Sequence, residues 1–339
     1  MKDNTGRFFA IDVLRVVSLM MIVLFHFNVE MIIKRGFSEV IGWNGNSYID
    51  LGQVGVGLFM IISGYSLSSP SNIKGVIAFY KKRLLRIFPQ FYLCYAICVV
   101  ILSICNGGIA FNANPQSFFI TLIGYDGYLN YKINTFYVTG EWFLGAIISL
   151  YLFFPFIVKC TSKMPVLTFI SSVVIFYINH KFYQEIYQVN EWNNIITMAV
   201  FFVFGSSYRF ACEGKSKAIM TIPVVAGVIY IIFARDLALV PTKVAIGITV
   251  FSSIMLFFDF LKTNKVTLNS ISFLADISFA AFLVHHVVIS ILTSANRINN
   301  PINNNFGLLF MSIAITFLLG WICYRMNAII INGLKKDRT

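Results

Sequence analysis

In the stretch RVVSLMMIVLFH, Arg15 and His26 bracket ten uncharged, mostly apolar residues. On a helix, positions eleven apart differ by about 20° around the axis and by roughly 16 Å along it, so the two side chains share a face. A guanidinium binds phosphate oxygens in pairs. An imidazole serves as a general base or as a nucleophile. The same pair also admits a plainer account, in which Arg15 snorkels to lipid headgroups and pairs with Asp12 at i,i+3 while His26 bonds to a neighbouring helix.

The element that must carry this face follows from composition. The 339 residues are 58% hydrophobic and 12% charged, with a mean hydropathy of +0.78. That mixture is not one of a water-soluble globule. Apolar runs long enough to cross a bilayer recur over 12–32, 50–68, 88–106, 138–158, 166–180, 194–212, 218–234, 240–260, 271–292 and 307–330. The predicted fold class is therefore an all-α integral membrane protein of about ten transmembrane helices, with residues 1–339 forming a single multi-span domain. Of the 26 basic residues, 17 fall on the side that holds both termini and seven on the other, leaving Arg15 and Arg325 within spans. Short basic loops stay in the cytoplasm, so both termini are expected there. The net charge of +12 is then topology and implies no nucleic-acid partner. Asp12 and Arg15 interrupt the first apolar run and no small-residue cleavage site follows it, so it is expected to remain in the mature protein. In this register His26 lies near mid-membrane, where an ionisable group is costly unless it faces a cavity or a partner.

Other residues join the face by type and position. In GQVGVGLFMIISGYSLSS (52–69), Gly52, Gly55 and Gly57 suit close helix packing, and Ser63 and Tyr65 are placed to line a cytoplasmic entry. In YKKRLLRIFPQFYL (80–93), Lys82, Arg83 and Arg86 precede Pro89 at the expected start of the third span. They form either an ordinary basic loop or the rest of a phosphate cradle with Arg15. Glu141 opens the fourth span at its outer end, suited to binding or deprotonating a hydroxyl, beside Trp142 of the interfacial aromatic belt. His285 and His286 sit in the ninth span on adjacent faces, so at most one of them is expected to meet His26 at a shared cavity. His180 reads as a wet interfacial histidine, and Arg325 as a snorkelling cation or a second phosphate contact. The six cysteines form no CxxC or His/Cys cluster, so no metal site is expected. A ligand with an anionic head and a long reactive arm fits the Arg15/His26 face, and acyl-coenzyme A has that shape.

Five stretches in order resemble the membrane-bound acyltransferase 3 family. They are the arginine, ten residues and histidine of the first span, the G-x-x-G-V-x-L-F-x-x-x-S-G-[FY] run of the second (GQVGVGLFMIISGY, 52–65), and K-R-L-L-R-I-x-P. GEWFLGAIISLYLFFPFI (140–157) and SFAAFLVHHVVI (278–289) complete the set. Phe282 stands where the family often has Tyr, and His285 is matched to the family's late histidine from its place after Leu283 and Val284. The resemblance implies that His26 acts in acyl transfer and that Arg15 handles the acyl-CoA. It also implies a bacterial plasma (inner) membrane setting. Many relatives carry a fused esterase-like domain, for which this chain leaves no room, so a stand-alone enzyme is expected.

The expected activity is that of a membrane-bound O-acyltransferase, with acetyl-CoA as cytoplasmic donor and no metal. Its catalytic residues would be His26, Arg15, Glu141 and His285, and its donor-binding residues Arg15, Lys82, Arg83, Arg86, Ser63 and Tyr65. The expected acceptor is a hydroxyl of a surface glycan or its lipid-linked precursor, reached with or without a separate extracytoplasmic partner. Two routes stay open: His26 as base for direct attack on the thioester, or His26 as carrier of the acyl group. The alternative is a proton-coupled secondary transporter or glycan exporter in which His26 and His285 relay protons.

Overall fold

The computed structural model describes residues 9–35, 39–40, 43–44, 51–69, 75–108, 111–129, 132–140, 142–186, 189–213, 215–234, 239–260, 265–298 and 305–336. Ten long helices carry the apolar runs. They are α1 (Phe9–Arg35), α2 (Leu51–Leu67), α3 (Val76–Asn106), α6 (Trp142–Lys163), α7 (Pro165–Ile186), α8 (Ile195–Ala211), α9 (Lys217–Phe233), α10 (Val240–Phe260), α11 (Lys265–Ile298) and α12 (Asn305–Lys336). Two short helices, α4 (Phe118–Leu122) and α5 (Asp126–Leu129), lie between α3 and α6. Strands β1 (Glu39–Val40) and β2 (Trp43–Asn44) pair antiparallel after α1. Among the described residues seven helices are long and apolar enough to cross a membrane. The other three, α2, α8 and α9, have 17 residues each. Helices are the expected solution because each satisfies its own backbone hydrogen bonds where lipid offers none.

The largest departure from the expected boundaries is at α3. Helix α3 begins at Val76, so Lys82, Arg83, Arg86 and Pro89 lie inside it and not in a loop before it. Lys, Arg and Leu are good helix formers, and Pro89 removes only one backbone donor from a helix that already has several turns on either side.

The chain divides into two compact units. The first comprises Met1–Ile22, Ser47–Tyr80 and Phe143–Ser272. Here α2 packs on α8, α8 on α7 and α9 on α10. The α2–α8 crossing is made by glycines: a Cβ on Gly64 would lie 1.9 Å from the Phe202 carbonyl oxygen, and one on Gly205 2.0 Å from that of Ile61. Lipid tails are as apolar as leucine, so close backbone approach and buried hydroxyl bonds have to hold such helices together. A hydroxyl chain does so at one end of the crossing, where Ser206 Oγ lies 2.7 Å from both Ser68 Oγ and Thr161 Oγ1. Asn194 caps α8, its side chain accepting from the Ile196 amide at 2.7 Å.

The second unit comprises Val23–Asn46, Lys81–Trp142 and Phe273–Thr339. Helix α12 meets α11 where Gly320 faces Ala281; a Cβ on Gly320 would lie 2.7 Å from the Ala281 Cα. The connection between α3 and α6 is tied to α3 by tyrosine hydroxyls, Tyr92 donating to the Leu122 carbonyl at 2.8 Å and Tyr95 to that of Phe136 at 2.7 Å. Within that connection the buried Asp126 accepts from Thr121 at 2.9 Å. Burial pushes its carboxyl above the usual range, against the opposing pull of the Thr121 hydroxyl.

Candidate active site

The second unit assembles three imidazoles. The ring of His26, on α1, lies with its centroid 3.8 Å from that of His286 and 5.0 Å from that of His285, both on α11. The two α11 rings are 4.7 Å apart. The expectation that at most one of them meets His26 therefore does not hold. Neighbours on a helix diverge by about 100° around its axis, but an imidazole reaches far enough for a ring on the facing helix to sit against both.

Each ring is positioned by local features of the sequence. Nδ1 of His285 is hydrogen-bonded to the Phe282 carbonyl one turn back. A carbonyl only accepts, so Nδ1 carries the proton and Nε2 keeps its lone pair. Among the described residues that Nε2 has no hydrogen-bond partner, in a side chain 1% exposed. His286 is backed by Gly140, whose φ of +78° suits glycine. A Cβ there would approach His286 Cδ2 to 2.8 Å. Farther along α1, Lys34 Nζ donates to the Ser290 carbonyl and hydroxyl, each at 2.9 Å, and to Ser294 Oγ at 2.9 Å. It also pairs with Glu30 at 2.8 Å. Lys34 is thus bonded to α11.

The other predicted residues fall elsewhere. Arg15 belongs to the first unit, where it pairs with the buried Asp12 at 3.1 Å. Asp12 also accepts from Ser272 on α11 at 2.8 Å. The i,i+3 pairing foreseen for Arg15 is present, in a side chain that keeps 23% of its surface exposed. Ser63 is half-buried on α2. Tyr65 is 1% exposed and packs among Tyr208 and Phe251, with the Arg209 guanidinium 4.8 Å from its ring centre. It stands in the core of the first unit and not on an open entry wall, because its aromatic ring is drawn into that cluster. Arg209, counted only as a loop cation in the sequence, is held over it by Glu213 at 2.7 Å. On α3, in the second unit, Lys82 and Arg86 are exposed and Arg83 half-buried. Glu141 lies outside the described residues. His180 is half-buried and bonded to Glu191 at 2.6 Å. Gly55 and Gly57 serve packing: a Cβ would meet the Ser18 carbonyl at 2.7 Å and the Phe201 ring at 2.6 Å, respectively.

The sequence left His286 as an alternative to His285, although the adjacent pair was the visible signal. The roles of Gly140, the Phe282 carbonyl and Lys34 carry no local signature, since each depends on which helix lies opposite.

An all-helical membrane protein with three imidazoles gathered between two of its long helices is the class that this geometry defines. The chain belongs to the acyltransferase 3 family, whose model, an acyltransferase domain, matches residues 8–325. Comparison with curated proteins and with solved structures found no match for the chain. The protein is thus a membrane acyltransferase, and the five motif stretches all lie within the matched range.

Proposed function

We propose that this acyltransferase moves an acetyl group from cytoplasmic acetyl-CoA to a hydroxyl of a surface glycan or its lipid-linked precursor in a bacterial plasma membrane. The observation that carries the reading is His26, an imidazole on α1 set against two others in a chain of acyltransferase family. As base, His26 accepts the acceptor's hydroxyl proton while the oxygen attacks the thioester carbonyl; the C–S bond breaks, and the thiolate recovers a proton as coenzyme A leaves. As nucleophile, a ring nitrogen of His26 takes the acetyl group from sulfur and gives it to the acceptor oxygen in a second step. His285 is the partner that orients or relays protons, its own tautomer fixed by Phe282.

The donor assignment rests on residue type and chain position. Arg15 keeps exposed surface beside Asp12, and Lys82, Arg83 and Arg86 supply further cations for a multiply charged nucleotide. Ser63 of α2 belongs to the proposed donor path as well, whereas Tyr65, buried in the core of the first unit under Arg209, is not proposed as a donor contact. Glu141 is proposed on the acceptor side, where an outer partner protein would also act. The whole chain works as one multi-span domain with both termini cytoplasmic.

The test uses purified protein and acetyl-labelled acetyl-CoA. Wild type should bind and cleave the thioester. His26→Ala should bind it with cleavage reduced by roughly 10²–10⁴-fold, the usual worth of a general base. Arg15→Ala should bind poorly. Label retained on wild type selects the acyl-histidine route. Wild type that neither binds nor cleaves acetyl-CoA with lipid-linked glycan supplied removes the donor assignment.

A further inference from the structure

The three imidazoles have a coordination chemistry that the acyl-transfer reading does not use. One nitrogen from each of His26, His285 and His286 lies within 4.8 Å of the others. A tetrahedral ion with metal–nitrogen bonds of about 2.0–2.1 Å needs its ligands roughly 3.4 Å apart. The difference is of the order of an ångström. Small rotations about the soft terminal torsions of imidazole side chains close it without moving a helix.

Two features argue that this cluster is built for a ligand rather than for packing. Nδ1 of His285 is bonded to the Phe282 carbonyl, which leaves the Nε2 lone pair buried and, among the described residues, without a partner. An unmet acceptor in a side chain 1% exposed is costly. A backbone carbonyl on the far nitrogen is also how metal-bound histidines are commonly oriented. The second feature is the crowding itself: the three ring centroids lie 3.8, 4.7 and 5.0 Å apart, and His286 is seated against Gly140, where a Cβ would approach its Cδ2 to 2.8 Å. Three neutral imidazoles suit zinc, copper, nickel or ferrous iron and disfavour magnesium and calcium, which take oxygen ligands.

We propose that His26, His285 and His286 form a binding site for one divalent transition-metal ion of the zinc type, with a fourth coordination position open. The site stands on imidazole geometry and goes beyond the acyl-transfer reading. Ligation takes the one lone pair of a neutral imidazole, so the ion and base action at His26 exclude one another.

The full-length protein in detergent, stripped by chelator and dialysed, is titrated with Zn²⁺ by calorimetry and with Co²⁺ by visible absorption. The expected result is one ion per chain and the d–d spectrum of nitrogen-ligated Co²⁺, with Mg²⁺ failing to compete. His26→Gln, His285→Gln and His286→Gln should each weaken binding roughly tenfold or more, whereas His180→Gln should leave it unchanged. A measurement on wild type alone guards against variants that do not fold: Zn²⁺ should protect His26 and His286, but not His180, from acylation by diethyl pyrocarbonate. Absence of stoichiometric binding to folded wild type overturns the site. So does binding that survives all three substitutions or falls equally with His180→Gln, and so does a lack of protection. None of these readouts involves an acyl donor, so they are independent of the acetyl-CoA experiment.

Discussion

At the residue scale the imidazole cluster depends on a position that carries no chemistry of its own. Gly140 has φ +78° and backs directly onto His286. Gly140→Ala meets two penalties at once: the left-handed backbone costs a residue with a Cβ about 1–2 kcal/mol, and the new methyl group lies 2.8 Å from His286 Cδ2. Folding should survive, with a modest fall in thermal midpoint. Thioester cleavage should drop by as much as about 100-fold, because moving His286 displaces the proposed base His26 that rests against it, and a misplacement of an ångström costs on that order. A variant with wild-type cleavage would show that the position of His286 does not matter to the reaction. His26 and Arg15 were legible from the sequence because a charged and a titratable side chain stand out in an apolar run. Gly140 was not, since glycine before an aromatic-rich helix is unremarkable until the ring beside it is known.

At the scale of elements, the α2–α8 crossing is the most demanding contact in the first unit. Gly64 and Gly205 each place backbone against backbone, closer than any Cβ permits. Gly64→Ala and Gly205→Ala should each force the pair apart, lowering the thermal midpoint in detergent and the yield of monodisperse protein more than Gly333→Ala, where nothing lies within 4 Å. Separation costs van der Waals contact and stretches the Ser68–Ser206–Thr161 hydroxyl chain as well. Equal stability of all three variants would mean that the crossing tolerates a wider spacing. Every apolar run expected from sequence lies on a helix, because hydrophobic length is a property of the local chain. The start of α3 at Val76 was missed since lysines, arginines and a proline read as a loop until the helix is seen to run through them.

At the scale of the whole molecule, the proposed orientation follows from the excess of cations on one side. Reporter fusions, or single-cysteine labelling in a cysteine-free background, at Lys2 and at Arg338 should place both on the cytoplasmic face. Termini on opposite faces would require an odd number of spans and would return one 17-residue helix to the status of a half-span. Lys34, near the C-terminal end of α1, is bonded to α11. The same lysine has a mechanical meaning. Its ammonium has three protons and faces the Ser290 carbonyl, the Ser290, Thr293 and Ser294 hydroxyls, and the Glu30 carboxylate. A carrier of the rocking type would have to open and reclose a seam on each cycle, and a seam between these two helices would break most of those bonds every time. Pinned in this way, the C-terminal half of α1 and α11 form one beam with a fixed register, and any substrate of the proposed His26 site travels alongside the beam instead of prising it apart.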